Sequence, residues 1–134
     1  MAAERGGLRF HHVGVAVRSI AEASAPLQAL GFDAVPGLPE HADEQGRIRL
    51  RFLALPGDPM LVELVEGLDA SGPVAGVLAR NGPVPYHLGF LVNDLEAEGE
   101  RLRGLGYLPI SRPLAGCTGR TQFFHHRASG LVEL

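Results

Sequence analysis

The chain has 134 residues, of which 46% are hydrophobic and 20% are charged, and its formal net charge is −3. This length and balance indicate one soluble globular domain with a real hydrophobic core. The negative charge, without any basic run interleaved with aromatic residues, argues against non-specific nucleic-acid binding. No apolar run approaches the roughly 18 residues that a membrane-spanning helix needs, so we expect no membrane partner.

The cysteine and lysine counts restrict the compartment and the chemistry. Cys117 is the one cysteine, so an intrachain disulfide is excluded and a reducing compartment is indicated. The first residues lack the apolar stretch of a signal peptide, and we expect a cytoplasmic protein. All 12 basic side chains are arginine. Because no lysine amine is present, Schiff-base and lysine-nucleophile mechanisms are excluded.

The first half of the chain predicts a strand, a helix and three further strands. Residues 10–17 are rich in β-branched residues and glycine, which indicates a strand. Ser19 can cap the helix that follows; Pro26 bends this helix and Gly31 ends it. Further strands are predicted at residues 32–35, 47–55 and 60–66, with a loop at 36–46.

The second half repeats this plan after a linker at residues 71–81, which holds one short helix. A strand at 84–92 precedes Asp94, which can cap a helix at 95–104. Further strands are predicted at residues 107–111, 120–126 and 130–134.

Self-comparison of the sequence indicates a duplication. Residues 12–17 (His-Val-Gly-Val-Ala-Val) resemble residues 87–92 (His-Leu-Gly-Phe-Leu-Val), at an offset of 87 − 12 = 75. The tetrapeptide Leu-Val-Glu-Leu at residues 61–64 recurs unchanged at residues 131–134, at an offset of 131 − 61 = 70. A Leu-Gly-aromatic triplet follows the helix in both halves. Matches in the same order at both ends of each half are typical of internal repeats.

We therefore predict a single α+β domain made of two tandem βαβββ modules. The modules span residues 8–66 and 83–134 and are joined by a linker at residues 67–82. They are expected to form a cupped mixed β-sheet around a central metal site, with the helices on the outer face.

The repeat places one histidine and one glutamate at equivalent positions of both modules. Residues two apart share a strand face, so His12 lies in a row with two small residues, opposite a row of valines suited to packing on a helix. Glu63 lies inside an apolar strand, where a carboxylate is costly unless it is exposed, paired or bound to a metal. His87 and Glu133 recur in the same settings. We predict that the four side chains bind one divalent cation, either Co, Zn, Ni, Mn or Fe.

These motifs resemble a known family. The frame at residues 10–17, the strand at residues 86–90 and the closing residues 130–134 are similar to the vicinal oxygen chelate superfamily, and within it to methylmalonyl-CoA epimerase and its glyoxalase-like relatives. The supporting stretches are Glu44-Gln45-Gly46, residues 71–75, residues 92–97 and Phe123-Phe124-His125.

The resemblance implies a reaction type. The family places its metal ligands on the first, fourth, fifth and eighth strands, and these positions here are His12, Glu63, His87 and Glu133. It also implies that the metal polarises a substrate carbonyl and stabilises an enolate. An epimerase removes a proton on one face of a carbon and returns one on the other. Glu133 is the first candidate for the base and Glu63 the second.

The resemblance also implies the partners. The substrate is expected to be a small molecule, either a CoA thioester or another anionic carbonyl compound, and the protein is expected to be a homodimer.

One position departs from the family pattern. The resemblance implies a catalytic glutamate four residues after Gln45, where this chain has Arg49, which cannot act as a base. Arg47, Arg49 and Arg51 alternate with apolar residues. If the apolar row packs on the helix, the arginines face the metal cup, where Arg49 and Arg47 would clamp a substrate carboxylate or phosphate. The alternative interpretation is a solvated strand face.

The chain has four further histidines. His125 and His126 resemble a second metal pair, but adjacent strand residues face opposite ways, so only one of them can line the cup. His11 and His41 are expected to have no role at the site.

Other functions fit the same residues. Lactoylglutathione lyase uses a similar His-Glu-His-Glu ligand set, and a role in natural-product biosynthesis stays open because of Arg49 and His126. An extradiol-type dioxygenase would need only two histidines and one glutamate, so Glu63 argues against it. A metal-free drug-binding resistance protein shares the implied fold, but it would not need all four ligand types.

Overall fold

The computed structural model describes residues 7–43, 46–72, 74–116 and 119–134. Within these ranges the chain forms three helices and a mixed sheet of nine strands, which confirms the predicted α+β class. Four residues singled out in the sequence lie outside the described ranges, namely Glu44, Gln45, Pro73 and Cys117. None of the helices in the described part of the chain is long and apolar enough to cross a membrane.

The elements follow the predicted order closely. The helices are α1 (Ile20–Ala29), α2 (Ala75–Asn81) and α3 (Leu95–Gly104). The strands are β1 (Arg9–Val17), β2 (Asp33–Ala34), β3 (His41–Ala42), β4 (Ile48–Ala54), β5 (Leu61–Gly67), β6 (Val84–Leu91), β7 (Leu108–Pro109), β8 (Leu114–Gly116), β9 (Gly119–Thr121), β10 (Phe123–His126) and β11 (Gly130–Glu133). The main sheet has the order β2-β4-β5-β1-β6-β11-β10-β7, with β3 paired to β4.

Both longer helices begin at the predicted caps. The Ser19 hydroxyl accepts a hydrogen bond from the Glu22 amide, and the Asp94 carboxylate accepts one from the Ala97 amide. These bonds satisfy backbone donors that have no partner within the helix. Pro26 lies inside α1, as the sequence indicated.

Residues 12–86 form one compact unit, which we call the N-terminal unit. Strand β1 pairs in parallel with β5, and β4 pairs antiparallel with β5. Helix α1 packs on one face of these strands, around Val17, Ile20 and Leu64. Helix α2 belongs to a second cluster around Ala16 and Val65, on the opposite face. Helices α1 and α2 therefore pack on opposite faces of these strands.

Residues 87–134 form a second unit together with the described residues 7–11, which we call the C-terminal unit. Strand β6 pairs in parallel with β11, β10 pairs antiparallel with β11, and β7 pairs antiparallel with β10. Helix α3 packs on these strands through Leu95 and Leu102, which contact a cluster that includes Phe124 and Val132.

The residues at the start of the described chain are held against α3. The Gly7 amide donates a hydrogen bond to the Glu98 carboxylate, with 2.8 Å between the two atoms. The Arg101 guanidinium donates a second hydrogen bond of 2.8 Å to the same carboxylate. The hydrogen bond from Gly7, followed by that from Arg101, lowers the pKa of Glu98 below its usual value. This part of the chain therefore packs against α3 in the C-terminal unit.

Among the described residues, the two short strands β3 and β8 were not predicted. Strand β3 lies inside the segment expected to be a loop, and β8 and β9 form a separate two-stranded sheet. The strand predicted at residues 120–126 is divided into β9 and β10. The side chains of β8 are exposed, so no hydrophobic alternation marked that strand in the sequence.

Candidate metal centre

In the N-terminal unit, His12 and Glu63 lie side by side on one sheet face. In the parallel register of β1 and β5, Gly14 is the partner of Glu63, and His12 lies two residues earlier on the same face of β1. The Nε2 atom of His12 is 3.6 Å from the Oε1 atom of Glu63. Both residues are buried, at 4% and 5% exposure. A buried carboxylate of this kind needs a counter-charge or a cation.

A phenylalanine supports the imidazole of His12. Phe52 on β4 is the cross-strand partner of Glu63, and its ring contacts the His12 ring edge to face, with 5.5 Å between the ring centres. Phe52 is 2% exposed, so its ring restricts the orientation of the imidazole.

The C-terminal unit repeats this arrangement with His87 and Glu133. In the register of β6 and β11, Gly89 is the partner of Glu133, and His87 lies two residues earlier. The Nε2 atom of His87 is 3.9 Å from the Oε1 atom of Glu133. His87 is 3% exposed, whereas the Glu133 side chain is 16% exposed. Glu133 is therefore the more accessible of the two glutamates, because the Glu63 side chain is only 6% exposed.

A second phenylalanine takes the same place in this unit. Phe123 on β10 is the cross-strand partner of Glu133, and it contacts His87 edge to face at 5.3 Å between ring centres. The sequence analysis gave neither Phe52 nor Phe123 a role at the site. The available signal was their spacing, because they precede the glutamates by 63 − 52 = 11 and 133 − 123 = 10 residues.

The predicted ligands form a His/Glu cluster that could hold a metal ion. One ligand atom from each of His12, Glu63, His87 and Glu133 lies within 4.8 Å of the others. Donor atoms at roughly 2.0–2.2 Å from one cation lie roughly 3–4.4 Å from each other, so these separations would need only a small contraction. Two imidazoles and two carboxylates suit a first-row divalent cation such as Zn, Fe, Co, Ni or Mn. The donor set and its spacing therefore fit the predicted metal.

The arginines of β4 do not lie on this face, which corrects the sequence prediction. Phe52 shares its face with Glu63, so Leu50 and Ile48 do as well, and both pack with the α2 cluster. Arg49 and Arg51 occupy the opposite face. The prediction was wrong because it assigned the apolar row to the side of α1, whereas α2 requires an apolar surface on the side of Glu63.

Each arginine has a partner away from the His/Glu cluster. The Arg51 guanidinium donates a 2.9 Å hydrogen bond to the Ser24 hydroxyl of α1. Arg49 Nε lies 3.7 Å from the Glu40 carboxylate, and the Arg49 side chain is 43% exposed. Arg47 donates a hydrogen bond of 2.9 Å to the carbonyl of Ser71. The proposed carboxylate clamp by Arg49 and Arg47 is therefore not retained.

This placement gives the first prediction. The Arg49→Ala variant is expected to keep the substrate affinity and turnover of the unchanged protein within about twofold, because an exposed ion pair contributes only about 0–1 kcal/mol. Steady-state kinetics on the purified variant test this expectation. A tenfold rise in KM with unchanged kcat would contradict it and restore the clamp.

The register also separates the two adjacent histidines of β10. His125 pairs with Leu131, so it shares a face with Phe123 and Glu133. His126 faces the other side, where its ring contacts the Tyr107 ring at 5.0 Å between centres. Nδ1 of His126 accepts a hydrogen bond of 3.0 Å from the Ala128 amide. The strand register confirms the prediction that only one histidine of this pair lies on the face of the site.

Comparison with known proteins gives the family. Residues 11–124 match the family model described as the glyoxalase/bleomycin resistance protein/dioxygenase superfamily. The chain belongs to this superfamily. The resemblance inferred from the sequence is thereby confirmed. None of the curated proteins matches the chain.

Several solved structures are similar to this chain over most of its length. Methylmalonyl-CoA epimerase from Mycobacterium tuberculosis is 30% identical, with a TM-score of 0.84, over 100% of this chain and 91% of that one. A Streptomyces coelicolor methylmalonyl-CoA epimerase variant in complex with 2-nitronate-propionyl-CoA is 24% identical, with a TM-score of 0.80 and 94% and 92% coverage. A hypothetical protein of Bacillus halodurans C-125 is 21% identical, with a TM-score of 0.80 and 94% and 91% coverage.

Proposed function

We propose that this superfamily member is a divalent-metal-dependent epimerase that acts on an acyl-CoA thioester of the methylmalonyl-CoA type. The observation that carries the proposal is the His/Glu cluster in a chain that matches an epimerase over its whole length. We further propose that His12, Glu63, His87 and Glu133 are the metal ligands and that the two units are the two repeats of one domain. The homodimer and the cytoplasmic location remain predictions.

The proposed chemistry begins at the carbon between two carbonyl groups. A bound divalent cation would supply Lewis acidity that makes the adjacent hydrogen more acidic. The Glu133 carboxylate is the proposed base, because its side chain is the more exposed of the two glutamates. It takes the hydrogen as a proton, and the electron pair of the C–H bond enters the carbonyl system to give an enolate. A proton returned to the other face of the carbon completes the inversion.

The surroundings of Glu133 suit this role. Phe123 and Leu131 are its neighbours on the same face, and the Nε2 atom of His87 lies 3.9 Å from its Oε1 atom. Glu63 is held deeper and is the second candidate for the base.

The second prediction tests the reaction itself. Purified protein with methylmalonyl-CoA in D₂O is expected to exchange the α-hydrogen for deuterium and to interconvert the two epimers. Removal of the metal by a chelator is expected to abolish both processes, and each candidate cation is added back in turn. Metal analysis and proton NMR measure the outcome. A metal-free protein as purified would contradict the metal assignment.

A matched pair of variants separates chemistry from folding in the same assay. Glu133→Gln is expected to lower the exchange rate by about 10²–10⁴-fold, which is the range for loss of a general base. Glu100→Gln changes an exposed glutamate of α3 that pairs with Arg103, and it is expected to leave the rate unchanged. If the protein binds metal but does not exchange the α-hydrogen of methylmalonyl-CoA, its substrate is another carbonyl compound such as a glutathione thioester. That result would favour the lactoylglutathione lyase alternative.

A further inference from the structure

The proposed reaction needs a second proton-transfer group, and β4 does not supply one. The face of β4 that carries Phe52 also carries Ile48, Leu50 and Ala54, and these side chains cannot transfer protons. Arg49 lies on the other face. Strand β4 therefore carries no candidate for this group on that face.

Strand β10 carries a suitable group. Within the described part of the C-terminal unit, the face of Glu133 and His87 also presents Gly89, Leu131 and Phe123, none of which titrates. His125 lies on that same face and is exposed. It is flanked across the strands by two leucines, Leu131 of β11 and Leu108 of β7.

The register places His125 at a useful distance. Phe123 lies directly opposite Glu133, so His125 is the diagonal neighbour of Glu133 in the antiparallel pair. Diagonal neighbours are about 7–8 Å apart, within reach of long side chains. Two groups that each come within about 3 Å of a carbon between them need a separation of roughly 6 Å. A substrate carbon can therefore lie between the Glu133 carboxylate and the His125 imidazole.

From this geometry we infer that His125 is the second acid/base residue of the proposed epimerase, opposite Glu133. This inference rests on the proposed function. In one direction, Glu133 takes the α-proton, and the electron pair forms the enolate. The imidazolium of His125 then donates its N–H proton to the other face of the carbon, and the enolate electron pair forms the new C–H bond. Glu133 ends protonated and His125 neutral, and both reset by proton exchange with water.

The other described histidines suit this role less well. His126 lies on the opposite face, against Tyr107. His41 pairs with Leu50 and so faces the side of Glu63, but it is two strands away from β5. Its Nδ1 atom also lies 3.1 Å from the Pro39 carbonyl oxygen. His125 is one strand away from its glutamate.

The test separates proton removal from inversion. Each epimer of methylmalonyl-CoA is incubated in D₂O with metal-loaded protein carrying His125→Asn. Epimerisation is expected to fall by about 10²–10⁴-fold. The epimer deprotonated by Glu133 is expected to keep exchanging its hydrogen, with retention of configuration and within about tenfold of the original rate. The metal content and thermal unfolding of the variant are expected to match those of the unchanged protein.

His126→Asn is the matched control, because it changes the neighbouring imidazole on the opposite face, and its epimerisation rate is expected to stay unchanged. His125→Gln is the second variant. It is also expected to lose epimerisation while the epimer that Glu133 deprotonates keeps exchanging its hydrogen. Epimerisation by both His125 variants within threefold of the original rate would overturn the inference, as would an equal loss of exchange from both epimers. Failure of the unchanged protein to exchange either epimer would instead overturn the proposed function.

Discussion

The His87→Ala variant is expected to bind its divalent cation more than roughly 100-fold less tightly than the unchanged protein. Loss of an outer hydrogen-bond partner of a metal ligand alone costs about 10–100-fold in affinity, and loss of the ligand itself costs more. His87 is 3% exposed and its Nε2 atom lies 3.9 Å from Glu133. Solvent would replace the imidazole poorly at such a buried position. Metal analysis after dialysis and titration calorimetry measure the effect.

The His126→Ala variant serves as the control, because His126 lies on the other face of its strand. It is expected to retain the full metal content. The assignment of His87 as a ligand is wrong if both variants hold one equivalent of metal after dialysis. Thermal unfolding with and without added cation gives an independent measure. A cation at about 100 times its dissociation constant stabilises the folded state by about 2.7 kcal/mol, and this gain should be lost in His87→Ala.

The Phe124→Ala variant is expected to lower the free energy of unfolding by about 3–5 kcal/mol. Phe124 is fully buried, at 0% exposure, between β10 and α3. A Cβ atom added at Gly99 of α3 would lie 3.2 Å from the Phe124 ring, so the helix approaches the ring closely. Truncation would remove the ring that fills this space between the strand and the helix and would leave a cavity. Denaturant unfolding followed by circular dichroism measures the loss.

Substitution of the adjacent Phe123 is expected to affect metal binding more than stability. Phe123→Ala removes a ring of the same size from the face of His87, where Phe123 is only partly buried. Its cost in stability is expected to be smaller, while its metal affinity is expected to fall by about 10–100-fold because the imidazole is held less firmly. Equal losses of stability in the two variants, with unchanged metal affinity in both, would contradict the assignment of the two faces.

The members of the His/Glu cluster could be predicted because the chain contains two copies of the same pattern. A single histidine in a strand carries little information, but His12 and His87 recur in matching frames, as do Glu63 and Glu133. The helix caps Ser19 and Asp94 could also be predicted, because a cap depends on residues within one turn of the chain. Features that depend on local sequence were thus accessible without the structure.

The faces of β4 could not be predicted, for a physical reason. Alternation along a strand separates two rows of side chains, but it does not determine which row faces α1 and which faces α2. Arg51 reaches the α1 side because the Ser24 hydroxyl offers its guanidinium a partner there. The apolar row meets α2, a helix that the sequence placed only in a linker. Both contacts join residues distant in sequence.

The alternation on β4 has a consequence for the fidelity of folding. A slip of β4 by one residue against β5 would exchange its two rows, so Arg49 and Arg51 would face the α2 cluster. A guanidinium buried there without a partner would cost several kcal/mol, so the misaligned pairing competes poorly with the native one. Arg49 and Arg51, which lie outside the candidate site, therefore help to specify the alignment that brings Phe52 opposite Glu63. Their contribution to the site is indirect, through the accuracy with which the strands that form it are aligned.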